Sequence, residues 1–269
     1  MKLDGTRVLV TGASGGIGQA LAYALAQQNA SVILHGRNGL ALLNLQRKLP
    51  NPNRHHILAA DLCLADGREK LVKFIGQLQG IDILINNAGT NQFAWLEDQS
   101  EQQVIQQLAL NIQTPILLTR ALLPYMHKPA IIMNIGSSFG SIGYAGYSVY
   151  CASKYALRGF SEALSRELYG TDIKVLYLAP RATKTAINSD AVYAMNIELG
   201  TKSDSAEWVA QQALKVLEKE VERRWLGWPE RFFVKLNALF PRIVDKALAK
   251  QRPIIARHAN VSADKKGMK

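Results

Sequence analysis

Short apolar, β-branched runs alternate with longer amphipathic stretches along roughly the first 180 residues, and no other feature constrains the fold as much. Arg7–Thr11, Ser31–His35, His56–Ala60, Ile81–Asn86, Ala130–Gly136 and Ile173–Ala179 read as strands. Each is apolar almost throughout, the pattern of parallel strands covered on both faces. Between them Ile17–Gln28, Leu40–Leu49, Asp66–Gln79, Glu101–Met126 and Ser148–Tyr169 have helical character. Strand and helix in this succession specify an α/β fold, a doubly wound parallel sheet of Rossmann type with helices on both faces. A chain of 269 residues can bury one such core. Residues 1–228 are therefore expected to be one domain, 229–258 an amphipathic basic helical extension, and 259–269 a disordered polar end.

Ligands of such sheets bind outside the carboxyl ends of the strands. The polar and glycine-rich sequences gather at those ends. After the first strand comes Thr11-Gly12-Ala13-Ser14-Gly15-Gly16-Ile17-Gly18, a turn whose glycines let the backbone approach a pyrophosphate at a helix N-terminus. The second strand ends in His35-Gly36-Arg37-Asn38. A carboxylate there would accept hydrogen bonds from ribose hydroxyls and repel a 2′-phosphate. Arg37 instead offers charge-assisted bonds to that phosphate, so the expected cofactor is NADP(H).

Tyr150 and Lys154 stand four residues apart, which places both on one face of a helix. A free phenol titrates near ~10. An ammonium beside it, together with the positive nicotinamide of an oxidised cofactor, favours the phenolate and makes the pair an acid/base device.

Taken together, TGxxxGxG at the first turn, Asn86-Asn87-Ala88-Gly89 after the fourth strand, Asn134-Ile135-Gly136-Ser137-Ser138-Phe139-Gly140 after the fifth, and YxxxK resemble the short-chain dehydrogenase/reductase family over about Thr6–Thr185. The resemblance implies a catalytic set of Asn111, Ser137, Tyr150 and Lys154. Ser137 would position a carbonyl or hydroxyl, Tyr150 would exchange the proton while hydride moves to or from the nicotinamide, Lys154 would tune Tyr150, and Asn111 would support a proton relay. It also implies that Asp61 and Leu62 hold the adenine and that Asn87, Ala88 and Gly89 lie against the cofactor. Tyr150 and Lys154 would meet the nicotinamide ribose, and Pro180, Thr183 and Thr185 would lie at the carboxamide. Ser138 is set aside as the wrong neighbour of the catalytic serine. The implied assembly is a homodimer or homotetramer. One departure stands out: the family usually has Pro-Gly after the sixth strand, and here the sequence is Pro180-Arg181. That arginine could reshape the loop, face an anionic substrate or cofactor phosphate, or point to solvent.

The net charge of +11 is concentrated at one end. From Arg223 onward there are twelve Lys/Arg and three Asp/Glu, a balance of +9, which leaves the body at +2 and makes nucleic acid an unsuitable partner for the domain as a whole. Within 229–258, Phe232, Leu236, Leu239, Ile243 and Ala247 share a broad face, Arg231, Lys235, Arg242 and Lys246 gather beside it, and Pro241 is expected to split the helix. Docking on the domain, over the pocket or against another subunit, is the favoured reading; contact with an anionic membrane is the alternative. Cys63 and Cys151 and the five histidines show no metal-ligand spacing, and no metal is expected. Neither a secretory leader nor a spanning helix is apparent, so a cytoplasmic location, extending to the inner face of a membrane, is expected.

The function expected is transfer of a hydride between NADP(H) and a carbonyl or secondary alcohol, with a lipophilic substrate suggested by Tyr193, Met195 and Trp208 and by Tyr144 and Tyr147 at the mouth. The variable loop around Phe93–Gln99 is expected to share in specificity. A non-catalytic NADPH-binding or membrane-surface protein on the same fold is the main rival, and a sugar-nucleotide epimerase or dehydratase is another. The intact Ser/Tyr/Lys set argues against the first, the chain length and glycine spacing against the second.

Overall fold

The computed structural model describes residues 1–264. The strands are β1 (Arg7–Val10), β2 (Ser31–Gly36), β3 (His56–Ala59), β4 (Ile81–Asn86), β5 (Met126–Ile135), β6 (Ile173–Ala179), the short pair β7 (Thr183–Lys184) and β8 (Asp204–Ser205), and β9 (Arg223–Trp225). The helices are α1 (Gly16–Gln27), α2 (Gly39–Lys48), α3 (Ala65–Gln77), α4 (Glu101–Leu108), α5 (Thr114–Leu122), α6 (Ser148–Glu167), α7 (Asp190–Glu198), α8 (Ala206–Lys219), α9 (Glu230–Leu239), α10 (Pro241–Ala249) and α11 (Arg252–Asp264). Seven strands form one parallel sheet in the order β3-β2-β1-β4-β5-β6-β9, as the doubly wound reading requires.

The apolar runs supply both faces of the sheet by simple alternation. Val8, Val10, Val32, Leu34, Ile83 and Ile85 pack with Leu21 and Leu25 of α1 and Val209 and Leu217 of α8. Their neighbours Leu9, Ile33, Leu84 and Ile132 pack on the opposite face with Leu71 and Ile75 of α3 and Leu118 of α5. Each such fully buried aliphatic side chain stabilises the fold by about 1.5–3 kcal/mol.

The sequence reading needs correction at several elements. The single helix expected over Glu101–Met126 is two, because a wide π turn at Ala109–Gln113 separates α4 from α5, and Met126 already belongs to β5. The seventh strand β9 was not foreseen: RRW is short and charged, as edge strands often are. Nor was α8, which Ser205 caps by accepting from the Trp208 amide. Trp208 is on the exposed side of that helix and is absent from the wall of the large cavity described below, whereas Met195 is buried in that wall. Pro241 does divide the C-terminal extension, into α9 and α10, but a third helix follows. The disordered end expected from Ala259 is not seen there: Ala259 is buried, and α11 continues to Asp264. Residues 265–269 lie outside the described residues.

Candidate active site

The sheet order reverses between β1 and β4, and the carboxyl ends of these strands open into a cavity of about 680 Å³ lined by the loops singled out above. All the predicted cofactor and catalytic positions except Asn111 line this one cavity. Asn111 stands immediately behind Thr90, which does line it.

The first turn is shaped for close approach. Gly12 has φ +65°, and a β-carbon there would lie 2.8 Å from Ala88 Cα. A β-carbon on Gly18 would lie 2.2 Å from Gly12 O, so any side chain would close the turn. The N-terminus of α1 carries no side-chain cap and no acidic residue in its first turn, which leaves its partial positive charge facing the cavity. Asn87 braces this turn from β4, donating through Nδ2 to Thr11 O at 2.9 Å and Gly12 O at 3.2 Å. Thr11 Oγ1 accepts from the Asn87 and Ala88 amides at 3.0 Å each. A glycine-lined cradle closed to side chains, under an uncapped helix end, fits a dinucleotide pyrophosphate.

At the end of the cavity beside β2 and β3, Arg37 and Ser14 line it with Asp61 and Leu62. Asp61 Oδ1 accepts from the Cys63 amide at 2.9 Å, which fixes the turn after β3. His35 is buried and was not foreseen as part of this wall. Its Nε2 meets Ala60 O at 3.1 Å, its Nδ1 has no partner, and burial pushes its pKa down to about 4. Its imidazole is therefore neutral near pH 7.

Ser137, Tyr150 and Lys154 converge where β5 meets α6. The Ser137 hydroxyl lies close enough to the Tyr150 phenol to influence its titration. Lys154 is buried with its Nζ 3.0 Å from Ile135 O, to which it donates, and 5.8 Å from the Tyr150 ring centre. Burial pushes the lysine down to about 8 and the phenol up to about 12, the neighbouring Ser137 hydroxyl opposing the latter. The sequence reading expected the ammonium to lower the tyrosine. In the protein alone desolvation prevails, since the ammonium is bonded to a carbonyl and not to the phenol.

Asn111 sits in the π turn, a wider coil that turns its carboxamide toward β4. Its Oδ1 accepts from the Thr90 amide at 2.9 Å, and its Nδ2 donates to Thr90 O at 2.8 Å and Ser153 Oγ at 3.0 Å. Deeper, Asn86 Nδ2 donates to Asn134 Oδ1 at 2.8 Å and Thr119 Oγ1 at 3.1 Å, and Asn134 Nδ2 donates to Ser161 Oγ at 2.8 Å. This ladder joins the two strands that carry the NNAG and NIGSS sequences. The β4–β5 register alone sets Asn86 opposite Asn134, which the sequence did not disclose.

The Arg181 guanidinium is turned onto two carboxylates of the protein itself and not to solvent. It is held by Asp204 and Glu230, and its Nη1 also donates to Trp228 O at 3.3 Å. The other side of the cavity is aromatic and aliphatic: Phe139, Tyr144, Tyr147, Val192 and Met195, with Phe233, Val244 and Leu248 of the C-terminal helices closing it. Tyr144 Oη donates to Gln251 Oε1 at 2.7 Å, fastening that cover. Tyr193 bonds to Thr185 O at 2.9 Å, and Phe93 is buried beneath Tyr147. No group of three His, Cys, Asp or Glu gathers as a metal site among the described residues.

A parallel sheet with a glycine cradle and a Ser/Tyr/Lys cluster at its switch point defines an α/β oxidoreductase of the dinucleotide-binding type. A family model for short chain dehydrogenase matches residues 6–195. The chain is 32% identical over 193 residues to the uncharacterized oxidoreductase DltE of Bacillus subtilis, covering 70% of this chain and 75% of that one. The chain belongs to the short-chain dehydrogenase family. The fold matches a short chain dehydrogenase of Burkholderia cenocepacia in complex with NADP, at TM-score 0.78 and 20% identity, covering 92% of this chain and 99% of that one. It also matches a Burkholderia phymatum short chain dehydrogenase/reductase in complex with NAD, at TM-score 0.80 and 20% identity, covering 90% and 96%.

Proposed function

We propose that the protein is an NADP(H)-dependent reductase or dehydrogenase of a lipophilic carbonyl or secondary alcohol. The observation that carries this reading is the convergence of Ser137, Tyr150 and Lys154 on a cavity continuous with the glycine cradle. The bound nicotinamide supplies the hydride acceptor or donor. Ser137 Oγ holds the substrate oxygen, and the Tyr150 hydroxyl gives its proton to that oxygen in reduction and takes it back in oxidation. A phenol held up near 12 is protonated near neutrality and so carries the proton that reduction requires. Lys154, anchored on Ile135 O, keeps a positive charge close to the phenolate as it forms. Asn111 fixes Thr90 and Ser153 around this cluster and positions it.

For the cofactor, Arg37 and the absence of a carboxylate from His35-Gly36-Arg37-Asn38 favour NADP(H) over NAD(H). Asp61 and Leu62 hold the adenine in this reading, and Pro180, Thr183 and Thr185 the carboxamide. For the substrate, the aromatic and aliphatic wall favours a neutral, lipophilic molecule, because Arg181 is already neutralised by two carboxylates. A homodimer or homotetramer, a cytoplasmic location and a peripheral position on a membrane complete the reading. No helix among the described residues is long and apolar enough to cross one.

The deciding experiment follows NADPH oxidation with a panel of ketones, aldehydes and 3-oxoacyl thioesters, for the wild type and Tyr150→Phe. The wild type turns over a lipophilic member of the panel. The variant loses turnover by about 10²-fold or more while still quenching on NADPH titration. Equal turnover by the two proteins would overturn the assignment.

A further inference from the structure

We propose that the outward face of α9 and α10 seats on an anionic lipid bilayer, with the pocket mouth at the bilayer surface. The inner sides of both helices are committed to the domain. Val234 and Val244 are buried, and Asn237 Nδ2 donates to Ser141 O at 2.9 Å. What remains outside is unusually apolar: Trp228 is 71% exposed, Leu239 73%, Phe240 56%, Ile243 55% and Phe232 49%. Trp228 and Phe232 pack on each other at 6.1 Å, so this is a connected surface and not scattered residues.

Charge decides the occupant. At 100° per residue Arg231 and Lys235 border the exposed Phe232 and Leu239 on α9, and Arg242 and Lys246 stand beside the exposed Ile243 on α10. Of the two acids in these helices, Glu230 is paired with Arg181. A second copy docked here about a two-fold axis would bring two basic rims together. Phosphate headgroups would neutralise the rims while the aromatic and aliphatic side chains enter the interface. The surface is continuous with the pocket, since Phe233 and Leu248 from the same helices line it. A lipophilic carbonyl compound dissolved in the bilayer would then reach Tyr150 without crossing bulk water. Only that last step rests on the oxidoreductase reading.

The test is co-sedimentation of the full chain with vesicles of phosphatidylcholine alone and with about 30% phosphatidylglycerol, at about 0.05 and 0.5 M salt. Two double variants accompany it, Phe240→Ser with Ile243→Ser and Arg242→Glu with Lys246→Glu. None of these four residues lines the pocket. The wild type should bind anionic vesicles at least tenfold better than neutral ones and lose most of that binding in high salt. Both variants should bind about tenfold less while reducing a short, water-miscible ketone or aldehyde at the wild-type rate. Absence of binding to anionic vesicles would overturn the proposal. So would a wild-type dimer that the Phe240→Ser, Ile243→Ser change dissociates, which would assign the face to a second copy. Vesicle binding by a protein that oxidises NADPH with no carbonyl in the panel would sustain the surface and sink the catalytic reading.

Discussion

Arg181 and Asp204 form a two-pronged ion pair, Nε to Oδ2 at 2.9 Å and Nη2 to Oδ1 at 2.8 Å, with the side chains only 12% and 11% exposed. Glu230 accepts from the same guanidinium at 3.2 Å, so one side chain ties the loop after β6 to β8 and to the start of α9. The third partner reaches it through Gly227, at φ +88°, where a β-carbon would lie 2.6 Å from Arg181 Cδ. Arg181→Gly, which restores the family's usual residue, leaves two carboxylates without a counter-charge and loosens the helices over the pocket. We expect a loss of about 2 kcal/mol in chemical denaturation. Arg181→Lys should recover less than half of it, because an ammonium cannot make the forked bond. Full stability in either variant would show that the pair is dispensable.

Asn86 and Asn134 bridge β4 and β5 inside the sheet, both buried, with Asn134 passing the chain on to Ser161. Replacing Asn134 by Leu leaves the Asn86 amide with Thr119 as its one acceptor and takes from Ser161 Oγ its donor, at a cost of about 1–3 kcal/mol. A thermodynamic cycle of Asn86→Leu, Asn134→Leu and the double variant should give a coupling energy above about 0.5 kcal/mol. Strict additivity would mean that the ladder does not act as a unit.

The strands were legible because each apolar run is covered on both faces, so that its composition reports its burial. The cradle and the Tyr150–Lys154 pair were legible because their function depends on local spacing. The Asn86–Asn134 ladder was not, since it depends on register between strands 48 positions apart. The destination of Arg181 was hidden for a similar reason: Asp204 and Glu230 are distant in sequence, and the loop's composition reads equally as a surface. The π turn at Asn111 left no trace in the periodicity of a stretch that is helical on both sides.

His35 gives the fold a pH dependence with a definite sign. Its folded pKa of about 4 lies below the ordinary value of 6.5, so below about pH 6.5 the unfolded chain binds a proton that the folded chain refuses. Its contribution is complete above that value and is lost as pH falls toward 4. By pH 5 the loss from this residue alone is about 2 kcal/mol. Denaturation curves at pH 7 and pH 5 should show the wild type weakened more than His35→Gln. Equal weakening would assign the acid sensitivity elsewhere; His55 and His56, whose pKa values burial also lowers, act in the same direction.

Arg37 carries the cofactor preference in this reading. Removing its charge-assisted bonds in Arg37→Ala should raise the KM for NADPH by about tenfold or more and leave that for NADH nearly unchanged. Arg37→Asp should go further, because a carboxylate repels the 2′-phosphate and accepts from ribose hydroxyls; NADH then becomes the better cofactor. Steady-state kinetics with both cofactors on one substrate reads the switch. A wild type with equal kcat/KM for the two would remove the role assigned to Arg37.

Burial of Tyr150 sets different pH profiles for the two directions of the proposed reaction. Reduction consumes a proton from the phenol, and a phenol held near 12 stays protonated across the neutral range, so kcat/KM for reduction should be nearly flat between about pH 6 and 8. Oxidation needs the phenolate, whose fraction rises with pH as long as the phenol remains mostly protonated. The positive oxidised nicotinamide lowers the pKa in the loaded site without reversing this sign. Oxidation should therefore accelerate between about pH 6 and 9, and Lys154→Met should move its rising limb to higher pH, because a positive charge near the ring is lost. Cofactor binding measured alongside separates this shift from a KM effect, since a lysine serving only to pack α6 against β5 would leave the limb in place. An oxidation profile as flat as that for reduction would mean that Tyr150 is not the group that exchanges the proton.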